Sequence, residues 1–354
     1  MRIEAAKKLQ SFVCIFARMM RLVWLIVVGS WMLAGCGSDY EERCANIPNT
    51  GSITVEVAME NLEDSITRLR SKDELVAFFS RHEALRDYFF SREAYPSDSV
   101  FINALYNRFT HPAFDSLRLE AKRVFGEGEY LRQQFTEAFR NLTYYYPGLQ
   151  VPRIQTVISG FEADLVVSDT LIIVGLDYFL GAGARYRPNM YEYMLKRYEK
   201  NFVVPSALLL MGIDTRYNRT DLKDRTVLAD MIAYGKAYYF AKQMMPCVPD
   251  SVFIGYSTNE TEDAWFNQDL IWKKLVDDEV LFSTSNQTKQ KYISERPKTL
   301  EVGANCPGRI ATYIGWQIVK EYARKNPSLT LQQIMAEPSA EKILRESRYR
   351  PVER

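Results

Sequence analysis

The chain has 354 residues, of which 45 are Lys or Arg, 44 are Asp or Glu, and 47% are hydrophobic. This balance is typical of a globular protein with a substantial core, and it excludes disordered, collagen-like and disulfide-dense proteins. A formal net charge of +1 gives no electrostatic reason to expect a nucleic-acid-binding protein.

An export signal is predicted over residues 1–35. Residues 22–34 are uncharged and apolar. This run is too short to cross a membrane as a helix, which needs about 20 residues, but it has the length of the apolar region of a signal peptide. The stretch ends in Leu33-Ala34-Gly35-Cys36, which resembles the bacterial lipobox, where the cysteine is acylated and becomes the new N-terminus. We therefore predict lipidation of Cys36, because two or more acyl chains anchor a protein stably. The alternative is an uncleaved apolar segment with an incidental cysteine.

Residues 36–52 are predicted to form a lipidated tether. Loss of residues 1–35 leaves 40 basic and 43 acidic residues in the mature chain. Anionic head groups do not attract such a chain, so acylated Cys36 is expected to be its attachment to membrane lipid. An acidic stretch, residues 39–42, resembles a signal that sends some bacterial lipoproteins to the cell surface, and a solvated tether is the alternative. With either interpretation of the acidic stretch, the protein is predicted to lie in the cell envelope, anchored at the outer membrane.

Besides the lipidated Cys36, the mature chain keeps three cysteines: Cys44, Cys247 and Cys306. In an oxidising compartment an odd number leaves at least one unpaired or paired between chains. Cys247 follows a predicted helix and Cys306 precedes another, so a bridge between them is a candidate pairing. The pairing stays open, because disulfide geometry is not readable from a sequence.

Residues 53–354 are predicted to form a single domain whose first part is mostly helical. Residues 53–57 alternate in polarity, as a short strand does. Ser71 and Glu74 have the spacing of a capping box at the start of a helix. Further helices are predicted over residues 99–110, 115–124 and 128–143.

Three strands follow in the middle of the chain, over residues 151–158, 164–167 and 171–175. Their close succession favours antiparallel pairing. Helices then return at residues 227–245 and 265–281, and others begin near Pro307 and Thr330. The predicted fold class is α+β, predominantly helical with a small antiparallel sheet.

The helix over residues 227–245 is predicted to be deeply buried, because apolar residues recur along it at spacings of three and four. In one class of zinc peptidases such a helix carries His-Glu-x-x-His, whose imidazoles hold zinc and whose glutamate is the general base. Tyr234, Gly235 and Tyr238 stand at those three positions here. The two histidines, His82 and His111, precede this helix and are predicted to be surface or capping residues. We therefore expect no metal and no cofactor.

No catalytic residue is assigned. The sequence has no Gly-x-Ser-x-Gly motif. Neighbouring carboxylates at residues 262–263 and 277–279 are an alternative for acid–base chemistry, although charge runs on helices are usually solvated surface. Lys236 lies in the buried helix, where it is either a functional ammonium or a structural one whose stem is buried.

Six stretches after residue 140 occur together, in order and spacing, in one known family: residues 144–147, 158–161, 175–181, 235–246, 267–272 and 307–319. They resemble the gliding-motility lipoprotein family GldB of Bacteroidetes. That family is similar to predicted zinc peptidases, so the resemblance implies a zincin-like fold without the metal motif. Lys236 and Arg309 lie in matching stretches and are the candidate functional polar residues. Gln268 stands where the family is expected to carry an acidic residue.

The lipobox, the missing ligands and the resemblance together imply a non-catalytic, lipid-anchored envelope lipoprotein associated with gliding motility and type IX secretion. Its partners would be membrane lipid, through Cys36, and envelope proteins of that machinery. One alternative is an envelope hydrolase, resembling a peptidase, with an unrecognised carboxylate site. The other is a surface lipoprotein that binds glycans or peptides.

Overall fold

The computed structural model describes Cys44 and residues 47–351. By its contacts the chain divides into two compact units, Met1–Ile47 and Pro48–Arg354, and the strands and helices named below belong to the second. The signal peptide over residues 1–35 and the lipidation site Cys36 lie outside the described residues and stay predictions. Among the residues described, no helix is both long enough and apolar enough to cross a membrane.

A four-stranded mixed sheet forms in the first half of the second unit. Its strands are β1 (Met59–Asn61), β2 (Arg153–Val157), β3 (Leu165–Val167) and β4 (Leu171–Gly175). They lie in the order β1-β2-β4-β3. β2 pairs in parallel with β1 and with β4, and the β3–β4 hairpin is antiparallel.

The α+β class is confirmed, but the expectation of an antiparallel sheet is wrong for two of the three strand pairs. The connection over residues 158–164 carries the chain past β4, so that β2 lies beside β4 and not beside β3. β4 is buried at every position, as is typical of parallel strands covered on both faces. The strand expected over residues 53–57 does not form, and the first strand begins at Met59.

Helices connect β1 to β2. They are α1 (Glu63–Thr67), α2 (Lys72–Arg81), α3 (Asp98–Phe109), α4 (Pro112–Phe125) and α5 (Glu129–Tyr145), with a π-helical turn at Leu85–Phe89 and a 3-10 turn at Arg92–Ala94. The expected capping box at the start of α2 is half formed. Ser71 accepts from the amide of Glu74, but the Glu74 carboxylate accepts from the amide of Arg70.

The chain after β4 is helical. It contains 3-10 turns at Leu176–Phe179 and Lys200–Phe202, then α6 (Glu192–Leu195), α7 (Val203–Ile213), α8 (Val227–Met244), α9 (Asp250–Ile254), α10 (Thr258–Phe266), α11 (Gln268–Asp277), α12 (Asn286–Tyr292), α13 (Ile310–Lys325), α14 (Leu331–Ala336) and α15 (Ala340–Ser347). The expected helix over residues 265–281 is instead the end of α10 and all of α11. The two are separated at Asn267, whose side chain bonds back to the Asp263 carbonyl.

The α8 helix forms the centre of the helical half, and α7, α13 and α15 pack against it. Its closest neighbour is α13, because the two helices meet at glycines. A Cβ on Gly235 would lie 2.4 Å from the Gly315 carbonyl oxygen, and a Cβ on Gly315 would lie 2.0 Å from the Met231 carbonyl oxygen. This backbone contact places the segment Tyr234–Tyr238 beside the residues that begin α13.

Candidate functional site

Arg309, at the start of α13, faces the α8 segment that the sequence singles out. Its backbone is left-handed, with a φ of 58°. Its guanidinium donates to the Tyr238 hydroxyl at 3.3 Å and to the Ile254 carbonyl. The side chain is only 14% exposed, so Arg309 is fixed between α8 and α9.

Glu295 lies between two arginines. Its Oε2 is 2.8 Å from Arg197 Nη2 and 3.4 Å from Arg309 Nε. Gly308, the residue before Arg309, lies against the backbone of Arg296, the residue after Glu295. Only glycine fits there, because a Cβ on Gly308 would lie 1.7 Å from the Arg296 carbonyl oxygen. Burial lowers the pKa of Arg309, but Tyr238, Glu295, Tyr256 and Tyr234 together raise it by more, so this arginine stays charged.

Two further tyrosines complete the arrangement. Tyr256 is buried and donates to the Gly308 carbonyl at 2.6 Å, and burial raises its pKa well above the ordinary range. Tyr234 is 38% exposed, and partial burial raises its pKa as well. We call this group the tyrosine–arginine cluster; its members are Arg197, Tyr234, Tyr238, Tyr256, Glu295 and Arg309.

The tyrosine–arginine cluster presents hydrogen-bond donors and positive charge at neutral pH. The hydroxyls of Tyr234 and Tyr256 stay protonated, since the pKa of each is raised. The Glu295 carboxylate is engaged by two guanidinium groups. General-base catalysis needs a group free to accept a proton near neutral pH, and this arrangement supplies ion-paired and donating groups instead.

The two histidines lie away from this cluster. His111 caps α4, where its Nδ1 accepts from the amide of Ala113 at 3.2 Å. His82 ends α2, with its Nδ1 3.3 Å from Gln155 Nε2 and its ring against Phe78. Burial lowers the pKa of His82. Over the described ranges, no three His, Cys, Asp or Glu side chains lie together in a way that could hold a metal ion.

Lys236 does not belong to the cluster, although it lies in the same helical segment. It is 1% exposed, and its ammonium donates to three backbone carbonyls, those of Arg219, Met335 and Glu337, at 2.5, 3.2 and 2.9 Å. All three of its protons are therefore used. Burial lowers its pKa to about 8. Lys236 holds the segments around residues 219 and 335–337 against α8.

The carboxylates expected as an alternative acid–base site lie on the surface. Residues 262–263 and 277–279 are all exposed. Asp277 and Asp278 form ion pairs with lysines one helical turn earlier, Lys273 and Lys274. The geometry supports a solvated helix face, because these carboxylates are exposed and two of them are ion-paired with neighbouring lysines.

A buried aspartate that sequence reasoning missed joins two of the family-like stretches. Asp177 is 0% exposed and accepts from the amide and hydroxyl of Ser159, both at 3.0 Å, and from the amide of Phe161 at 2.6 Å. Burial raises its pKa, and these hydrogen bonds oppose the rise. A charged residue inside the apolar run of residues 173–180 was the signal that could have found it.

Gln268 is buried with both ends of its amide satisfied. Its Nε2 donates to the Trp265 carbonyl at 2.9 Å, and its Oε1 accepts from the Tyr349 hydroxyl at 3.0 Å. A carboxylate could not donate to Trp265, so the amide suits this position.

The cysteine pairing differs from the expected one. Cys306 is a free thiol, whereas Cys247 and Cys44 are both disulfide-bonded. The expected bridge between Cys247 and Cys306 is therefore wrong. Cys306 lies in a turn that its own carbonyl closes by accepting from the amide of Thr299 at 2.9 Å, and burial raises the pKa of its thiol to about 12.

The family model of the gliding motility protein GldB matches residues 43–351. The chain therefore belongs to this family of lipoproteins associated with gliding motility, and the resemblance seen in the sequence is confirmed. No curated protein and no solved structure matches the chain. The zincin-like relation consequently stays a prediction.

Proposed function

We propose that the chain is a non-catalytic, lipid-anchored lipoprotein that serves as an adaptor for the gliding-motility and type IX secretion machinery. One observation carries the proposal. Where a zinc peptidase would place its ligands, Tyr234 and Tyr238 lie on α8, and Arg309 donates to Tyr238 at 3.3 Å. A permanently charged guanidinium beside these positions repels a cation.

The arrangement also contributes to the packing of the fold. Arg309 is held by Ile254 as well as Tyr238, and Glu295 is shared with Arg197. Gly255, in a left-handed conformation, lets Arg197 reach this position, because a Cβ on Gly255 would lie 2.2 Å from Arg197 Cδ. The α8 segment Tyr234–Tyr238 and its partners thus hold α8, α9 and α13 together, which supports a binding scaffold.

Attachment to the outer membrane through acylated Cys36 belongs to the same proposal. The lipobox at residues 33–36 and the tether that follows it support an anchor at the N-terminus. Such an anchor leaves the compact unit free to contact envelope proteins. No specific observation favours a hydrolase or a glycan-binding protein over this function.

Chemical cross-linking in membranes of the native organism, followed by affinity purification of the full chain, tests the adaptor role. We expect motility or secretion components of the envelope to co-purify with the wild-type chain and with the surface variant Glu262→Gln. A Cys36→Ser chain at equal abundance should lose these partners. Recovery of the wild-type chain without any envelope component of that machinery would contradict the proposal.

A further inference from the structure

A cavity of about 220 Å³ lies beside α1, at the carboxyl ends of β1 and β2. Ligands of open sheets with parallel strands characteristically bind at this edge. Asn61, the last residue of β1, is directly opposite Thr156 of β2. Glu63 begins α1 immediately after β1, and Phe125 and Leu131 form an apolar wall. The cavity is distant in sequence from every member of the tyrosine–arginine cluster.

Glu63 contributes an unpaired carboxylate oxygen to this cavity. Its Oε1 is buried and has no hydrogen-bond partner within the part of the chain that the structure describes. Burial raises the pKa of Glu63. A buried carboxylate without a counter-ion is costly to a fold, which points to a ligand that offsets the cost.

The basic side chains that line the cavity are already paired. Arg118 contacts Asp64 at 2.9 Å and Asp115 at 3.0 Å, and Lys122 contacts Glu127 at 3.0 Å. Among the charged lining residues, Glu63 therefore has no opposite charge of its own. The lining carries two positive charges, on Arg118 and Lys122, against three carboxylates, on Glu63, Asp64 and Glu127. The complementary ligand carries one positive charge.

Hydrogen-bond acceptors converge on the same space. Thr156 Oγ1 donates to Asn61 Oδ1 at 3.3 Å, and both oxygens keep lone pairs free. Asn61 is fixed in turn, because its Nδ2 donates to the Glu127 carbonyl at 2.9 Å. Gly128, with a φ of 84°, borders the cavity, and a Cβ there would lie 2.7 Å from Met59 Cε.

We infer that this cavity binds a single cationic group, a primary ammonium or a guanidinium, with Glu63 as its counter-ion and Asn61 and Thr156 as hydrogen-bond acceptors. The group comes either from a basic side chain of a protein partner or from a small free amine. The inference goes beyond the adaptor role and does not depend on it, because the ligand is defined by the chemistry of the cavity alone.

Titration calorimetry on the full, detergent-solubilised chain tests this inference. The probes are Nα-acetyl-arginine amide, Nα-acetyl-lysine amide and ethylammonium, with neutral Nα-acetyl-citrulline amide as the matched control. We expect saturable binding of the cations and none of the citrulline compound. Tighter binding of the acetylated amino-acid amides supports a protein side chain as the ligand, whereas equal binding of ethylammonium supports a free amine.

Glu63→Gln should weaken binding about tenfold or more, since a charge-assisted hydrogen bond is lost. The control Glu56→Gln changes an exposed glutamate near β1 and should bind as the wild type does. Thr156→Val, which keeps the shape of the buried residue, should bind several-fold more weakly. Circular dichroism establishes that each variant is folded. Equal affinity in folded Glu63→Gln, or no saturable binding of any cation by the wild type, would overturn the inference.

Discussion

Gly235 of α8 and Gly315 of α13 lie in backbone contact, so close that a Cβ on Gly235 would come within 2.4 Å of the Gly315 carbonyl oxygen. Both glycines fall in the sequence stretches that resemble the family, and both are needed because no side chain fits between the two helices. This contact fixes the position of Tyr238 relative to Arg309. The packing of α8 on α13 therefore determines the geometry of the tyrosine–arginine cluster.

Gly315→Ala should destabilise the protein strongly. The new methyl group would lie 2.0 Å from the Met231 carbonyl oxygen, and relief requires a backbone shift, which typically costs about 1–3 kcal/mol. Thermal unfolding followed by circular dichroism measures the effect. Gly183→Ala is the matched control, because nothing lies within 4 Å of a Cβ there. Equal melting temperatures for the two variants would show that the helices are not in contact.

Lys236→Met should lower the free energy of unfolding and change its pH dependence. Three carbonyls lose their donor, at a cost of about 1–3 kcal/mol. In the wild type, burial lowers the pKa of Lys236 from 10.5 to about 8. At a pH between these two pKa values, Lys236 is protonated in the unfolded state and largely deprotonated in the folded state. The free energy of unfolding of the wild type should therefore rise with pH, by at most about 1.4 kcal/mol per pH unit.

Urea unfolding of both proteins at about pH 7.5 and about pH 9.5 isolates this contribution. The difference in free energy of unfolding between wild type and Lys236→Met should grow as the pH rises. A difference that shrinks or stays constant would mean that the pKa of Lys236 is not lowered in the folded state.

Cys306 should be the cysteine that stays reduced among residues 44, 247 and 306. Burial raises the pKa of its thiol to about 12, so little thiolate is present at neutral pH and iodoacetamide should react with the native protein slowly. In urea without reductant, mass spectrometry should find Cys306 alkylated and Cys247 protected. Reduced protein, in which both react, is the control. A disulfide-linked peptide containing Cys247 and Cys306 would contradict the structure.

Cys36→Ser should move the protein from the membrane fraction to the soluble fraction, because the predicted acyl chains are attached at this cysteine. Carbonate-washed membranes and an immunoblot measure the shift. Ser38→Ala, two residues further on, is the matched control and should stay with the membrane. Retention of Cys36→Ser in washed membranes would show that another feature holds the chain there.

Local patterns in the sequence predicted single elements well. The strand over residues 171–175 is confirmed at both ends, and the buried helix expected over residues 227–245 is α8, Val227–Met244. Both depend on apolar periodicity within one segment. Strand pairing was not predictable in the same way, because β2 could join β3 or β4, and the choice depends on packing between distant parts of the chain.

The candidate site was predictable only in part. The sequence singled out Tyr234, Tyr238 and Arg309, which the structure brings together. It did not identify Glu295 or Arg197, because they come from separate connections and meet Arg309 only in the folded protein.

The most direct test of a non-catalytic role is the metal content and hydrolytic activity of the full chain purified from its native membranes. Elemental analysis should find zinc far below one ion per chain, and peptide and glycan substrate libraries should show no hydrolysis that a chelator suppresses. About one zinc ion per chain, together with hydrolysis that a chelator suppresses, would show that the protein is an enzyme.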